Sequence, residues 1–239
     1  MQRYFASIVD KDVLLSDDDI FHLTKVMRAR CNDEIEVVNN HQVFLCEIKS
    51  IKPLAIKVKR KINEKRELKC KIILIAALLK GEKMDFVVQK ATELGVNEIV
   101  FLESERTIIR VNRRDNSNRL DRYKRIAKEA AEQSCRLAVP DVSKVISINE
   151  LSRIKADIKI IPYELNAGIT KTFIDEINKA KEDQTIAVMV GPEGGFAEYE
   201  VNIAKCEGFV PVSLGRRILR AETASIYALS VISCLLEKK

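Results

Sequence analysis

The sequence predicts an α/β protein in two parts: a small β-rich domain over residues 1–68, then an α/β domain with a parallel sheet over 69–239. Two observations carry this. Short β-branched runs separated by turn residues fill the first part, whereas apolar strand-sized runs alternate with helical periodicity in the second. The densely charged stretch Asn63 to Lys69 divides the two patterns.

In the first part the segments Arg3–Val9, Glu34–Val38, Val43–Ile48 and Ala55–Val58 are partly alternating and read as strands. Asn39-Asn40-His41-Gln42 supplies a hairpin turn between two of them. One helix interrupts, Asp17 to Arg30, with Ser16 as its cap and Asp19 at the capping-box position. Its expected inner face is Ile20, Leu23, Thr24 and Met27. A small β-barrel with one helix is the outcome to expect.

In the second part Ile72 to Leu79 is nearly continuous in apolar residues, as a parallel strand buried on both faces must be. Helix Glu82–Leu94 follows, with Met84, Val87, Val88, Ala91 and Leu94 at helical spacing and Gly95 as its stop. Then come strand Glu98–Leu102, a long helix from about Asn118 to Leu137 and strand Val142–Ile146. Strand Asp157–Ile161, a helix near Thr170 to Ala180 and strand Ile186–Val190 follow. Helix Glu198–Glu207, strand Phe209–Val212 and helix Glu222–Glu237 close the chain. The last helix is more apolar than a one-sided surface helix needs; core burial and a dimer seam explain this equally well.

Composition excludes several classes. No apolar run approaches the roughly 20 residues that cross a bilayer, and Met1 to Phe5 carries neither a charged leader nor a signal core, so a cytoplasmic protein is expected. Six dispersed cysteines show no CxxC pair and no histidine at ligand spacing, so no metal is expected, and most read as buried small hydrophobes. Charge is uneven: nine Lys or Arg against two acids between Lys52 and Lys71, and again nine against two between Arg106 and Lys128. Two such clusters suit a polyanion, although solvated helix faces also carry such runs.

Two loops hold the chemistry. Gly191-Pro192-Glu193-Gly194-Gly195-Phe196 follows one apolar run, and Leu214-Gly215-Arg216-Arg217-Ile218-Leu219-Arg220-Ala221-Glu222-Thr223-Ala224 follows another. Each stands where α/β proteins keep ligands, past the carboxyl end of a strand and before a helix. Neither GxGxxG nor GxxxxGK[ST] is present, so a phosphate cradle is not indicated. Proline fixes the first loop while its glycines permit close approach of a flat ligand. Arg220, just outside the second loop, can hold a phosphate or order a substrate, or simply pair with Glu222 or Glu193.

With these loops stand His22-Leu23 and Val26-Met27-Arg28, Lys80 with Met84-Asp85, Gln89-Lys90-Ala91-Thr92-Glu93-Leu94-Gly95-Val96, and Glu129-Ala130-Ala131-Glu132-Gln133-Ser134 with Arg136 and Pro140. In this order the blocks resemble the bacterial 16S ribosomal RNA uracil nitrogen-3 methyltransferases over essentially the whole chain. The resemblance implies a PUA-like, RNA-binding β-barrel joined to a SPOUT-type α/β trefoil-knot methyltransferase domain acting as a homodimer. It further implies an S-adenosylmethionine pocket lined by Gly191, Pro192, Glu193, Gly194, Gly195, Leu214, Gly215, Ile218, Leu219, Arg220, Ala221 and Thr223. Ile218 and Leu219 would be its apolar walls.

For the reaction, Arg220 is the expected electrostatic stabiliser, and Glu222 and Glu193 are candidates for the base that takes the uracil proton. The expected RNA contacts are Arg3, Lys25, Arg28 and Arg30 on the barrel and Lys80, Arg106 and Arg136 near the active face. The partner is 16S ribosomal RNA or the small ribosomal subunit. The sequence departs from the family at Arg216, Tyr123, Cys135 and the Cys31-Asn32 turn, none of them a glycine of the two loops. A non-catalytic RNA-binding or ribosome-assembly protein is one alternative, which damaged loops would favour. A methyltransferase of the same fold acting on another RNA is a second.

Overall fold

The computed structural model describes residues 1–107, 113–163 and 172–237, and of 113–116 the backbone alone. Two compact units emerge, one of residues 1–67 together with 131–138, the other of residues 68–130 and 139–239.

The first unit is a six-stranded sheet ordered β1-β4-β5-β6-β3-β2. Its strands are β1 (Arg3–Phe5), β2 (Ser7–Val9), β3 (Asp12–Leu14), β4 (Glu34–Asn39), β5 (Gln42–Ile51) and β6 (Leu54–Ile62). β1 and β2 lie at opposite edges yet only Ala6 separates them. One residue spans less than 4 Å, so the sheet curls until its edges meet. Two register shifts in β5, at Leu45/Cys46 and Ile48/Ser50, help it bend. Tyr4, Leu23, Val37, Cys46, Ile48 and Ile56 fill the interior.

Several expectations need correction here. Arg3–Val9 is two strands, because β1 pairs parallel with β4 while β2 turns back antiparallel onto β3. The sequence reading has no β3; its hairpin turns on Asp10 and Lys11, both at positive φ, without the glycine that normally signals such a turn. The hairpin turn expected at Asn40-His41 is present between β4 and β5 and has the same left-handed pair. The helix expected over Asp17–Arg30 is α1 (Asp17–Phe21) running into a π-helical turn, His22–Val26. Ser16 caps it, accepting from the Asp19 amide and donating to the Asp19 carboxylate. Leu23 is buried, but the wider turn leaves Met27 exposed rather than on the inner face. Of the cysteines, Cys46 and Cys70 are buried, but Cys31, Cys206 and Cys234 are exposed at the ends or outer faces of their segments.

The second unit is a wholly parallel six-stranded sheet, ordered β12-β10-β11-β7-β8-β9. Its strands are β7 (Lys71–Ala77), β8 (Glu98–Glu103), β9 (Asp141–Ser147), β10 (Ile158–Pro162), β11 (Thr185–Val190) and β12 (Val210–Val212). The helices are α2 (Lys83–Glu93), α3 (Arg113–Gln133), α4 (Phe173–Ile177), α5 (Glu198–Cys206) and α6 (Ala221–Leu236). Alternate residues of β7 feed opposite cores. Ile72, Leu74 and Ala76 pack with α2, α4 and α6, whereas Ile73 and Ile75 pack with α5 and the 3-10 turn Ile148–Arg153. Burial on both faces is why these strands read as continuous apolar runs. Gly95 ends the α2 segment at φ +91, and a Cβ there would stand 2.9 Å from Leu68 Cδ1. The apolar last helix is accounted for largely by core burial of Ala224, Ala228, Leu229, Ile232 and Leu236.

Candidate functional site

The carboxyl ends of the parallel strands carry the site. Segments after β8, β10, β11 and β12, with the start of α2, surround a cleft of about 860 Å³. The size suits a drug- or nucleoside-sized ligand, for which about 300–1,000 Å³ is usual. The cleft takes in Gly191–Phe196 and Ser213–Ala221, so the two loops that stood out in sequence converge on one space.

Each loop has a local reason for its shape. In the first, a Cβ on Gly191 would lie 3.1 Å from the Phe196 ring, and Gly195 sits at φ +67. In the second, the Ser213 hydroxyl donates to the Gly215 carbonyl and accepts from its amide, both at 3.1 Å, while Gly215 takes φ +123. Buried Glu200 accepts from the Ala197 amide at 2.8 Å and from the Glu105 amide at 2.9 Å. It therefore ties the segment after β8 to the loop after β11.

Gly191, Pro192, Glu193, Gly194, Gly195, Leu214, Gly215, Ile218, Leu219, Arg220 and Ala221 all line the cleft. Ile218 is 88% exposed, so it stands at the open rim rather than forming a closed wall. Thr223 is exposed on α6 and is not part of the lining. Arg220 is exposed at the N-cap of α6, facing the cleft, and pairs with neither Glu222 nor Glu193.

Both acids meet Lys83 instead. Its Nζ lies 3.2 Å from Glu193 Oε1 and 3.7 Å from Glu222 Oε1. Burial pushes the Glu193 carboxyl up, but its own amide, Lys83 and the Lys80 amide more than offset this and hold it below the usual carboxylate range. Glu222 is outside the lining, and its Oε2 is buried without a hydrogen-bond partner among the described residues. An acid held ionised by an ammonium is a weak base. Lys83 thus stands between the two candidate bases and draws both side chains toward the loops.

The expected RNA cations divide. Arg3 is buried: it donates to Glu36 at 2.7 Å, to Glu64 at 2.6 Å and to the Cys135 carbonyl at 2.6 Å. Arg136, equally buried, grips Glu67 at 2.6 Å. Neither guanidinium is available to a phosphate, which corrects the expectation for both. Arg106 is exposed and lines the cleft, but Nη1 is spent on the Gly194 carbonyl at 2.9 Å. Lys25, Arg28, Arg30 and Lys80 are exposed. Lys83, Tyr163 and Ser213 also line the cleft, although no motif marks them. Nothing in the sequence links Lys83 to two glutamates more than a hundred positions away.

Comparison with known proteins agrees with this architecture. The RNA methyltransferase domain family matches residues 66–233, and the RNA methyltransferase PUA domain family matches 15–59. Ribosomal RNA small subunit methyltransferase E of Bacillus subtilis is 32% identical, over 98% of this chain and 96% of that protein. The chain belongs to the ribosomal RNA small subunit methyltransferase E family. A crystal structure of that enzyme from Neisseria gonorrhoeae, bound to S-adenosylmethionine, superposes with a TM-score of 0.86 at 30% identity and covers 98% of each chain. A methyltransferase from Legionella pneumophila in complex with the same cofactor gives 0.87 at 28%, over 98% of this chain and 97% of that one.

Three of the four departures read from the sequence have a definite place in the structure, and nothing in it explains Arg216. Cys135, where glycine is common, adopts φ +57, and Asn32 in the glycine-less turn adopts φ +72. Tyr123, where tryptophan is common, packs its ring 4.9 Å from that of Phe101. Among the described residues no cluster of potential metal ligands and no helix long and apolar enough to cross a membrane occurs.

Proposed function

We propose that this chain methylates nitrogen 3 of a uridine in the 16S RNA of the small ribosomal subunit, with S-adenosylmethionine as donor. One observation carries the reading: two glycine-bearing loops, separated in sequence by α5 and β12, meet in a single cleft of a chain that matches a cofactor-bound relative over nearly its whole length.

The cleft fits the cofactor. Backbone amides and carbonyls of residues 191–195 and 214–219 suit an adenine edge, Leu219 and Ala224 give apolar contact, and the space beside Gly191 is one a Cβ would crowd. When bound, S-adenosylmethionine supplies a methyl group on a sulfonium, an electrophile that needs orientation more than activation.

The chain's own residues then have to deal with the uracil. Nitrogen 3 carries a proton and becomes nucleophilic when that proton leaves. Arg220, exposed at the cleft and unpaired with Glu193 or Glu222, stabilises the negative charge that spreads onto the uracil carbonyls. With both acids held by Lys83, the proton passes to water. A target uridine has to be turned out of its stack to enter such a cleft. Lys25, Arg28 and Arg30 hold the surrounding RNA backbone by charge. We place the reaction in the cytoplasm, where ribosomal subunits are assembled, and in a homodimer. Phe86 on α2 and Tyr227 on α6, 46% and 41% exposed on two helices that pack together, support a face for the second copy.

The test is direct. Purified protein, labelled S-adenosylmethionine and small subunits from cells lacking the gene should yield 3-methyluridine in the digested 16S RNA. Methyl groups on another base or another RNA would overturn the assignment.

A further inference from the structure

We infer that Lys83 is a positioning residue for cofactor binding: it clasps the loop after β11 to the first turn of α6 through Glu193 and Glu222. This rests on the functional reading above and extends it to a residue that neither the loops nor the reaction chemistry points to.

The placement is the argument. Lys83 opens α2, where a cation opposes the helix dipole. Two carboxylates offset it, at 3.2 Å from Glu193 Oε1 and 3.7 Å from Glu222 Oε1. Glu222 lies in the first turn of α6. Its side chain is 14% exposed and its second oxygen is buried without a described partner. Such a carboxylate stays in place only while the ammonium faces it.

Glu193 stands between Pro192 and Gly194, so anchoring its side chain fixes the turn that lines the cleft. Arg106 holds the neighbouring Gly194 carbonyl at 2.9 Å from the other side of the loop. Without Lys83, two carboxylates would repel each other across the site, and the loop would have to be reordered each time the cofactor binds.

Calorimetric titration with S-adenosylmethionine alone, joined to steady-state kinetics on small subunits, tests this. Lys83→Met should weaken cofactor binding and raise its KM about 10-fold, which is about 1.4 kcal/mol, while kcat changes little. Lys83→Arg should restore most of the affinity, and Glu193→Gln should mimic the loss. In Lys83→Met/Glu193→Gln the two effects should not add, because they act through one contact. Unchanged cofactor affinity in Lys83→Met, or in Glu193→Gln should Lys83→Met not fold, overturns the inference alone. A fall in kcat at unchanged affinity overturns it too. No binding by the unaltered protein overturns the functional reading and this inference together.

Discussion

In the first unit Arg3 and Arg136 are 2% and 5% exposed and paired with acids, whereas in the second Arg106 and Arg220 stand exposed at the rim of a cleft. All four look alike in sequence, being cations in a basic chain that belongs to an RNA methyltransferase family. The first pair are architectural: planar five-donor groups that satisfy Glu36, Glu64, Glu67 and a backbone carbonyl. The second pair keep charge at the surface, where a ligand can use it. What separates them is not residue type but whether a carboxylate arrives from a distant part of the chain.

The sharpest way to break that comparison is Arg3→Met. Removing one partner of a buried ion pair costs about 3–5 kcal/mol, so the first unit should melt far earlier in calorimetry. A change below about 1 kcal/mol, the range of exposed pairs, would mean Arg3 is a surface cation after all. Acid should do the same more gently. Burial raises the Glu64 carboxyl, but Arg3 and Arg66 pull it below its ordinary value. Its contribution is therefore complete at neutral pH, starts to decline as pH drops below the ordinary carboxylate value and is gone once pH has fallen through the lowered one.

Arg220→Ala probes the opposite member. It should leave folding and cofactor affinity nearly intact and lower kcat by about 10²–10³-fold, as loss of one stabiliser of developing charge does. Intact turnover removes Arg220 from the mechanism. Gly195→Ala comes next: its Cβ would meet nothing within 4 Å, so only the positive φ is penalised. About 1–2 kcal/mol of strain follows, and cofactor titration should show it as weaker binding.

The smallest effect belongs to the exposed cations of the first unit. Lys25→Ala with Arg28→Ala should flatten the salt dependence of RNA binding by about 0.7 in log–log slope for each phosphate no longer neutralised. An unchanged slope would place the RNA elsewhere on the protein.

Much of the fold was legible because burial writes itself into composition. β7 is buried on both faces and reads as an unbroken apolar run, and the Asn40-His41 turn announces its left-handed pair. The glycine loops were legible for a related reason, since residues without a Cβ mark backbone that a neighbour or ligand approaches. Three things were not. The π-helical turn at His22–Val26 has ordinary helical periodicity and is set by tertiary contacts, the buried Leu23 and the 3.0 Å bond between Tyr4 and His22. The three-residue β3 is too short to show a period. The fates of Arg3, Arg136 and Lys83 depend on partners between 33 and 139 positions away, which no local pattern encodes. The knot that the resemblance implies has no local signature either, because periodicity specifies elements and not the order in which they cross.

The first unit closes on residues 131–138: Arg3 reaches the Cys135 carbonyl, Glu67 the Leu137 amide, and Leu137 packs on Val38 and Val43. During translation, therefore, the amino-terminal strands emerge from the exit tunnel well before the segment that completes them. Over half the polypeptide must be synthesised before this unit is whole. A fragment cut at residue 67 would be born with its plug missing.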